Sequence, residues 1–188
     1  MTNTHNRRYE AFTTPIGLSG FASTQKESKF GGYTLDLFLE NNKENQKFVS
    51  DLQQSHSLNI AHETDVNGSS GTSSDLNFEM KDTDPTQFQD GDYLVVRMKR
   101  KGTPPNIHDA SGSLTSLSHE IPIGSEVRIA LTCGSYSYMG RTGSTLYLND
   151  IQIVNLAKRS EKSLGTVFDA TDGEFIGVGT LDDSLGLD

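Results

Sequence analysis

Residues 92–101 carry an aromatic ring and several cations at a spacing suited to binding a nucleic acid. If this stretch is a β-strand, alternation turns Leu94, Val96 and Met98 toward a core. The other set of side chains then shares the outer face: Tyr93, Val95, Arg97, Lys99 and Lys101. Rings stack on bases and cations neutralise phosphates, so this face has the chemistry of a groove for a single nucleic-acid strand. The alternative interpretation is a solvated edge strand protected by its lysines.

A second set of candidate residues lies in two strands predicted between residues 123 and 156. Alternation places Arg128 on the first strand and Tyr147 on the second, each opposite the apolar positions. After Leu148 the apolar phase slips, which predicts a β-bulge near residues 149–150. The glycine-rich turn between the two strands holds three more candidates: Tyr136, Tyr138 and Arg141.

Phe38 is a further ring of interest, because it lies on the polar face of a strand predicted over residues 30–40. It either packs under a loop or forms an exposed platform for stacking. A helix is predicted from residue 41 to about residue 59, with Asn42 as its N-cap. Its inner face holds Phe48, Val49 and Leu52 and, one turn further on, Ser55 or His56. Together with plentiful glycine, this pattern predicts a mainly β fold: a five-stranded barrel of the oligonucleotide-binding type, with one helix and long loops.

Several short runs, taken in order, resemble the single-stranded-DNA-binding proteins of podovirus-type phages. They are residues 124–128 (GSEVR), 136–138 (YSY), 140–144 (GRTGS) and 146–154, preceded by residues 14–17 (TPIG) and 104–110 (PPNIHDA). In the family's closing strand pair a proline–tyrosine pair stands where this chain has Ser135 and Tyr136. The resemblance covers most of residues 10–158.

This resemblance implies a phage protein that coats and protects single-stranded DNA during replication, recombination and repair, in the cytoplasm of the infected bacterium. It also implies that the phage DNA polymerase and helicase bind an acidic C-terminal tail. Family tails often end on an aromatic residue, whereas this chain ends Leu187-Asp188. We expect the tail to compete with DNA for the basic groove. A homodimer is an assembly that the sequence leaves open.

The predicted organisation has three parts. Residues 1–11 form a mobile arm, in which Arg7 and Arg8 are either auxiliary phosphate contacts or part of a solvated tail. Residues 12–159 form the binding domain, with an acidic mobile insertion at about 62–90 for which a hairpin is the alternative. Residues 160–188 form a flexible acidic interaction tail, with apolar residues between its carboxylates.

The net charge of −9 is unevenly distributed along the chain. Residues 169–188 hold six acids and no base, and residues 63–92 hold eight acids and one lysine. Residues 97–159 reverse this balance, with eight bases against four acids. Local potential decides where a polyanion binds, so the overall negative charge does not exclude nucleic acid.

Catalysis and metal binding have no support in the sequence. The single cysteine, Cys133, lies at an inward strand position, and neither His108-Asp109 nor His119-Glu120 comes with the further ligands that zinc requires. No phosphate-binding glycine loop and no nucleophile elbow is present. We therefore predict no catalytic residue, no metal, no cofactor and no membrane span, and we expect a protein that is not secreted.

The sequence thus predicts sequence-independent binding of single-stranded DNA. A structural β-barrel protein of a virion is one alternative, in which the basic face is only solvated. Binding of single-stranded RNA is another, because stacking grooves do not sense the 2′-hydroxyl unless a side chain is aimed at it. A nuclease comes last.

Overall fold

The computed structural model describes residues 6–29, 31–76, 78, 80–82 and 91–158. The predicted tail at 160–188 lies outside the described residues, as do residues 1–5 of the predicted arm. The described chain forms ten strands and one helix: β1 Tyr9–Thr13, β2 Gly17–Ser23, β3 Tyr33–Glu40, α1 Lys43–Asp65, β4 Thr72–Ser73, β5 Met80–Asp82, β6 Asp92–Arg100, β7 Asn106–His108, β8 Leu114–Thr115, β9 Glu126–Tyr138 and β10 Arg141–Asn155.

Five of these strands close into a ring. Its order is β2, β3, β6, β10 and β9, and β9 pairs again with β2. The β6–β10 contact is parallel and the other four are antiparallel. This arrangement confirms the predicted mainly β fold with a single helix.

The core fills the inside of the ring because the strands alternate as predicted. Leu35, Leu37 and Leu39 of β3 are fully buried, and so are Ile129 and Leu131 of β9. The predicted bulge in β10 is confirmed, because its pairing with β9 shifts register between Leu148 and Asp150. The shift returns Ile151 to the core, where it is also fully buried.

Helix α1 begins as predicted and ends later than predicted. The Asn42 side chain accepts a hydrogen bond from the Asn45 N–H at 2.9 Å, which caps the first turn. The helix runs on to Asp65, so its predicted end at residue 59 is wrong. The apolar stripe stops after Leu52, and beyond it the buried face is polar: Ser55, His56, Asn59 and Glu63. No helix in the described ranges is long and apolar enough to cross a membrane.

Polar contacts join the second half of α1 to the ring. Asn59 donates to Ser144 Oγ at 2.7 Å, and Ser135 Oγ donates to the fully buried Glu63 carboxylate at 2.5 Å. Because these groups satisfy each other, a polar helix face can be buried at little cost. Ser55 or His56 is predicted on this face from the sequence, but the burial of Asn59 and Glu63 leaves no apolar periodicity by which it could be recognised.

The segment after α1 closes a gap in the ring. Strands β6 and β10 meet at a single paired position, Lys99 with Tyr147. On one side of that position, β4 pairs with the start of β10 and β5 pairs with the start of β6. Leu76 and Phe78, between β4 and β5, pack against the core. This part of the predicted mobile insertion is therefore paired and packed, while residues 83–90 lie outside the described residues.

The predicted N-terminal arm is also more ordered than expected. Residues 9–11 belong to β1, which pairs with β9. The Arg8 guanidinium donates to Asn59 Oδ1 at 2.8 Å and to Ser55 Oγ at 3.1 Å, and it pairs with Glu10. These contacts hold the Arg8 side chain against α1, so Arg8 is not part of a solvated tail.

Candidate nucleic-acid interface

A cleft of about 1160 Å³ lies on the outer face of β3 and β6 and extends to the β9–β10 hairpin. Six of the ten predicted site residues line it: Arg97, Lys99, Lys101, Tyr136, Tyr138 and Tyr147. Five of them lie on β6, β9 and β10, and Lys101 directly follows β6. The ring brings together residues up to 50 positions apart in sequence, from Arg97 to Tyr147. Lys99 and Tyr147 are a direct cross-strand pair, so a cation and a ring stand side by side on the sheet.

The lining of this cleft is cationic. It includes five basic residues, Arg7, Arg97, Lys99, Arg100 and Lys101, against two carboxylates, Asp36 and Asp75. Arg97 forms an ion pair with Asp36 at 3.4 Å, and its side chain is 56% exposed. Arg100 donates to the Asn149 carbonyl at 2.7 Å. A concave surface with an excess of positive charge concentrates a polyanion even on an acidic protein.

The three tyrosines of the cleft are held in different ways. Tyr138 is 69% exposed near the tip of the hairpin. Tyr136 is half-buried, and its hydroxyl lies 2.8 Å from Ser74 Oγ. Tyr147 is also half-buried, and its ring lies over Gly134. A Cβ at residue 134 would stand 2.7 Å from the Tyr147 ring, so glycine is what lets this ring lie so close to β9.

The other four predicted site residues lie elsewhere. Phe38, Tyr93 and Arg128 line a second cleft of about 740 Å³. Its charged lining is Arg128 against three carboxylates: Glu40, Glu44 and Glu126. This cleft is therefore acidic and unsuited to a phosphate backbone. Arg141 lines neither cleft; it is exposed at the start of β10, where it pairs with Thr72 of β4.

The predicted exposure of Tyr93 is wrong. Its side chain is 4% exposed, and its ring meets the edge of the Phe38 ring with centroids 6.2 Å apart. Burial, and secondarily the nearby Glu40 carboxylate, raise the pKa of the Tyr93 hydroxyl. Val95, also predicted to face outward, is 2% exposed. Both residues do lie on the outer face of β6, but other side chains cover that face over the first half of the strand.

Phe38 packs rather than standing free, but it packs against residues of β2 and β6 and not under a loop as predicted. It is half-buried, and its ring lies against Gly20 of β2, where a Cβ would stand 2.3 Å from the ring. It lies on the acidic side of the molecule, so the proposed set of stacking rings does not include it.

The cleft also has lining residues that the sequence patterns missed. Phe21 of β2 is 66% exposed, and Leu76 and Phe78 follow β4. Arg7, which the sequence analysis named as a candidate phosphate contact, also lines the cleft, beside the anchored Arg8. The signal for Phe21 is a ring directly after Gly20 in a strand that, apart from Leu18, is otherwise made of small residues (GLSGFAS). The residues described contain no group of three or more His, Cys, Asp or Glu side chains that could hold a metal ion.

The position of the cleft matches a known class. In chain order, β3 and β6 are the second and third strands of the ring. The β2–β3 loop contributes Ser28 and Gly31 to the cleft, and the β9–β10 hairpin contributes Tyr138. Oligonucleotide-binding folds hold their ligands on the face of strands two and three, between the loops that join strands one and two and strands four and five. The ring and its cleft therefore define a member of this fold class.

Solved structures of phage proteins share this fold. The single-stranded DNA binding protein gp2.5 encoded by bacteriophage T7 matches with a TM-score of 0.58 and 16% identity, over 82% of this chain and 97% of its own. The single-stranded DNA-binding protein from bacteriophage Enc34 matches with 0.55 and 11% identity, over 82% and 86%. Its complex with single-stranded DNA matches with 0.53 and 10% identity, over 80% and 89%.

Neither a protein-family model nor a curated protein matches the sequence. The structural likeness nevertheless confirms the resemblance to phage single-stranded-DNA-binding proteins that the sequence runs indicated. At these identities the likeness is one of fold.

Proposed function

We propose that this chain binds single-stranded DNA without sequence preference, in the cationic cleft. The observation that carries the proposal is the pairing of rings and cations on one concave face, where Tyr147 lies beside Lys99. Bases of any sequence can stack on the rings while the cations follow the backbone. The structures from T7 and Enc34, one of them in complex with single-stranded DNA, support this assignment.

The aromatic rings of the cleft also favour binding of single-stranded DNA over duplex DNA. A tyrosine can stack on a base only if that base is free of its own neighbours, which is the case in a single strand and not in a duplex. Stacking on rings and pairing with phosphates do not depend on the base edges, so neither contact reads the sequence. We therefore propose a binding protein that coats exposed strands rather than an enzyme that acts on them.

A mobility-shift titration tests this proposal. Labelled oligothymidine and a duplex of equal length are titrated at about 50 and about 200 mM salt, where several phosphate contacts require a steep loss of affinity. We expect the single strand to bind far better than the duplex and to weaken strongly with salt. Equal binding of the duplex, or affinity independent of salt, would overturn the proposal. An oligouridine of the same length checks the RNA alternative.

We further propose that the protein acts in phage DNA replication, recombination and repair inside the host cell, where it coats exposed strands. We propose that the phage polymerase and helicase bind its acidic C-terminal segment. The support is in the sequence: residues 169–188 combine six carboxylates with Phe175, Ile176 and three leucines. Acids interspersed with apolar residues are typical of interaction segments.

Truncation after Phe168 tests the role of this segment. We expect the shortened protein to keep binding oligothymidine but to lose its capture of the polymerase and helicase, since the apolar anchors and the carboxylates are removed together. A control protein with Phe175 and Ile176 changed to serine keeps the charge and separates apolar anchoring from charge. Undiminished capture of both partners by the truncated protein would contradict the proposal.

A further inference from the structure

Phe21 is presented to the cleft by an irregularity in β2. Ser19 pairs with Leu37 of β3 and Ala22 pairs with Leu35, so two residues, Gly20 and Phe21, stand opposite Asp36 alone. This is a β-bulge, and bulges commonly re-aim a side chain. In an unbroken strand Phe21 would share the face of Ser19, which is fully buried. With the bulge it is exposed on the outer face instead.

Gly20, in the bulge, leaves room for the Phe38 ring. The Phe38 ring occupies the space beside Gly20 where any other residue would carry its Cβ. Phe38 and Phe21 therefore both lie next to Gly20, but their surroundings differ. Phe38 is packed on the side of the acidic cleft, while Phe21 is 66% exposed in the cationic one.

The Glu120 carboxylate holds the segment that follows the bulge, at the start of the β2–β3 loop. Glu120 accepts hydrogen bonds from the backbone N–H groups of Thr24, Gln25 and Lys26, and from the Thr24 hydroxyl at 2.9 Å. Glu120 precedes β9, so it ties the start of the β2–β3 loop to another part of the molecule. A ring held on a braced strand loses little freedom when a ligand stacks on it, which favours binding.

We propose that Phe21 is a further base-stacking platform, at the β2 end of the cationic cleft. The inference rests on the proposed function and extends it. The tyrosines lie on the β9–β10 side of the cleft, Arg97 and Lys99 lie on β6 between them and β2, and Phe21 forms the far end. A DNA strand that crosses the sheet from β10 to β2 thus meets rings at both ends and cations between them. A ring exposed to this extent contributes little to the core.

The absence of tryptophan from the sequence gives a direct test. A Phe21→Trp variant carries a single indole, whose fluorescence is quenched when a base stacks on it. We expect oligothymidine to quench it with the same midpoint as binding of labelled oligothymidine measured by anisotropy. The matched control is Leu114→Trp, because Leu114 is 71% exposed on β8 and lines neither cleft. Its fluorescence should not respond.

Affinity measurements on three further variants complete the test. Phe21→Ala should weaken binding of oligothymidine by about 5- to 150-fold, the range of one lost stacking contact. Phe21→Leu keeps apolar bulk but no ring and should weaken it nearly as much. Ile16→Ala removes an exposed apolar side chain from the acidic cleft and should bind like the parent. Thermal unfolding of each variant shows that the fold is retained.

The outcomes separate the two proposals. If the parent binds oligothymidine while Phe21→Trp is not quenched and Phe21→Ala keeps the parent affinity, Phe21 has no role in binding and the inference fails alone. If the parent does not bind oligothymidine, the proposed function fails and takes the inference with it. Quenching of both tryptophan variants would also overturn the inference, because it would show a response that does not depend on the cleft.

Discussion

Single residues of the same type have different surroundings in this protein, and their variants should differ accordingly. Tyr138 and Tyr147 line the cationic cleft, whereas Tyr93 is buried against Phe38. We expect Tyr138→Ala and Tyr147→Ala each to cost about 1–3 kcal/mol of affinity for single-stranded DNA, the usual worth of a stacking ring. We expect Tyr93→Ala to cost roughly 3–5 kcal/mol of folding stability, as aromatic-to-alanine changes in a core do. Anisotropy and denaturant unfolding measure the two quantities. A loss of affinity without loss of stability in Tyr93→Ala would contradict this division.

For single residues, the alternation of side chains along a strand predicted the face of the sheet correctly but not the exposure to solvent. Tyr93, Val95, Arg97 and Lys99 all lie on the outer face of β6, as the period of two predicts. Whether such a face meets solvent depends on what covers it, and the cover over Tyr93 comes from Phe38 on the neighbouring strand. The bulge that exposes Phe21 was equally hidden, because β2 is too poor in apolar residues for a phase slip to show.

The loop between β2 and β3 is an element whose anchoring should depend on pH. Burial of the Glu120 carboxyl opposes its ionisation, but the hydrogen bonds from Thr24, Gln25 and Lys26 together outweigh burial and lower its pKa from the ordinary 4.5. A lowered pKa in the folded state means that the ionised form stabilises the fold. This contribution is complete above pH 4.5, falls as the pH drops toward the folded-state pKa, and is lost below it.

A Glu120→Gln variant should show this dependence directly. Between about pH 6 and about pH 3 its free energy of unfolding should fall less than that of the parent, because glutamine has no charge to lose. At the higher pH the variant should be the less stable of the two. Glu27→Gln is the matched control, since Glu27 is exposed in the same loop. Parallel pH profiles for the parent and Glu120→Gln would contradict the prediction.

Helix and strand segments were predictable from the sequence where the side chains that they bury are apolar. The N-cap and first half of α1 follow from Asn42 and the stripe ending at Leu52. Its second half buries Asn59 and Glu63 against strand residues 74 and 72 positions further along the chain, and such partners have no local signature. For the same reason the pairing of β4 and β5 across the gap between β10 and β6 could not be read from a stretch that is low in apolar residues.

On the scale of the whole molecule, charge segregation should govern how binding responds to salt. Each phosphate contact to a single strand contributes about −0.7 to the slope of log K against log salt. Changing Lys99 and Lys101 together to alanine should therefore make that slope shallower by about 1.4. Arg128→Ala removes a cation from the acidic cleft and should leave the slope unchanged. An equal effect of Arg128→Ala would contradict the assignment of the DNA path to the cationic cleft.

The sequence located the basic region of the chain but not the division between the two clefts. Arg128 and Lys99 both belong to the stretch in which bases outnumber acids. The ring places them on different sides, and Arg128 then lies among Glu40, Glu44 and Glu126. Two of these carboxylates are more than 80 residues before Arg128 in the sequence, so a local charge count cannot include them.

Strand β10 has a consequence for how the protein is made. It pairs with β4, β6, β7 and β9, and it is the last strand of the described chain to leave the ribosome. Until residues 141–155 are synthesised, the growing chain carries β6 and β9 with unpaired edges, which are sites of association between chains. We expect a fragment that ends at Gly140 to be recovered mainly as aggregate, and one that ends at Lys158 to be recovered as folded protein. In a translating cell, neighbouring nascent chains would therefore aggregate most readily in the interval before β10 is complete.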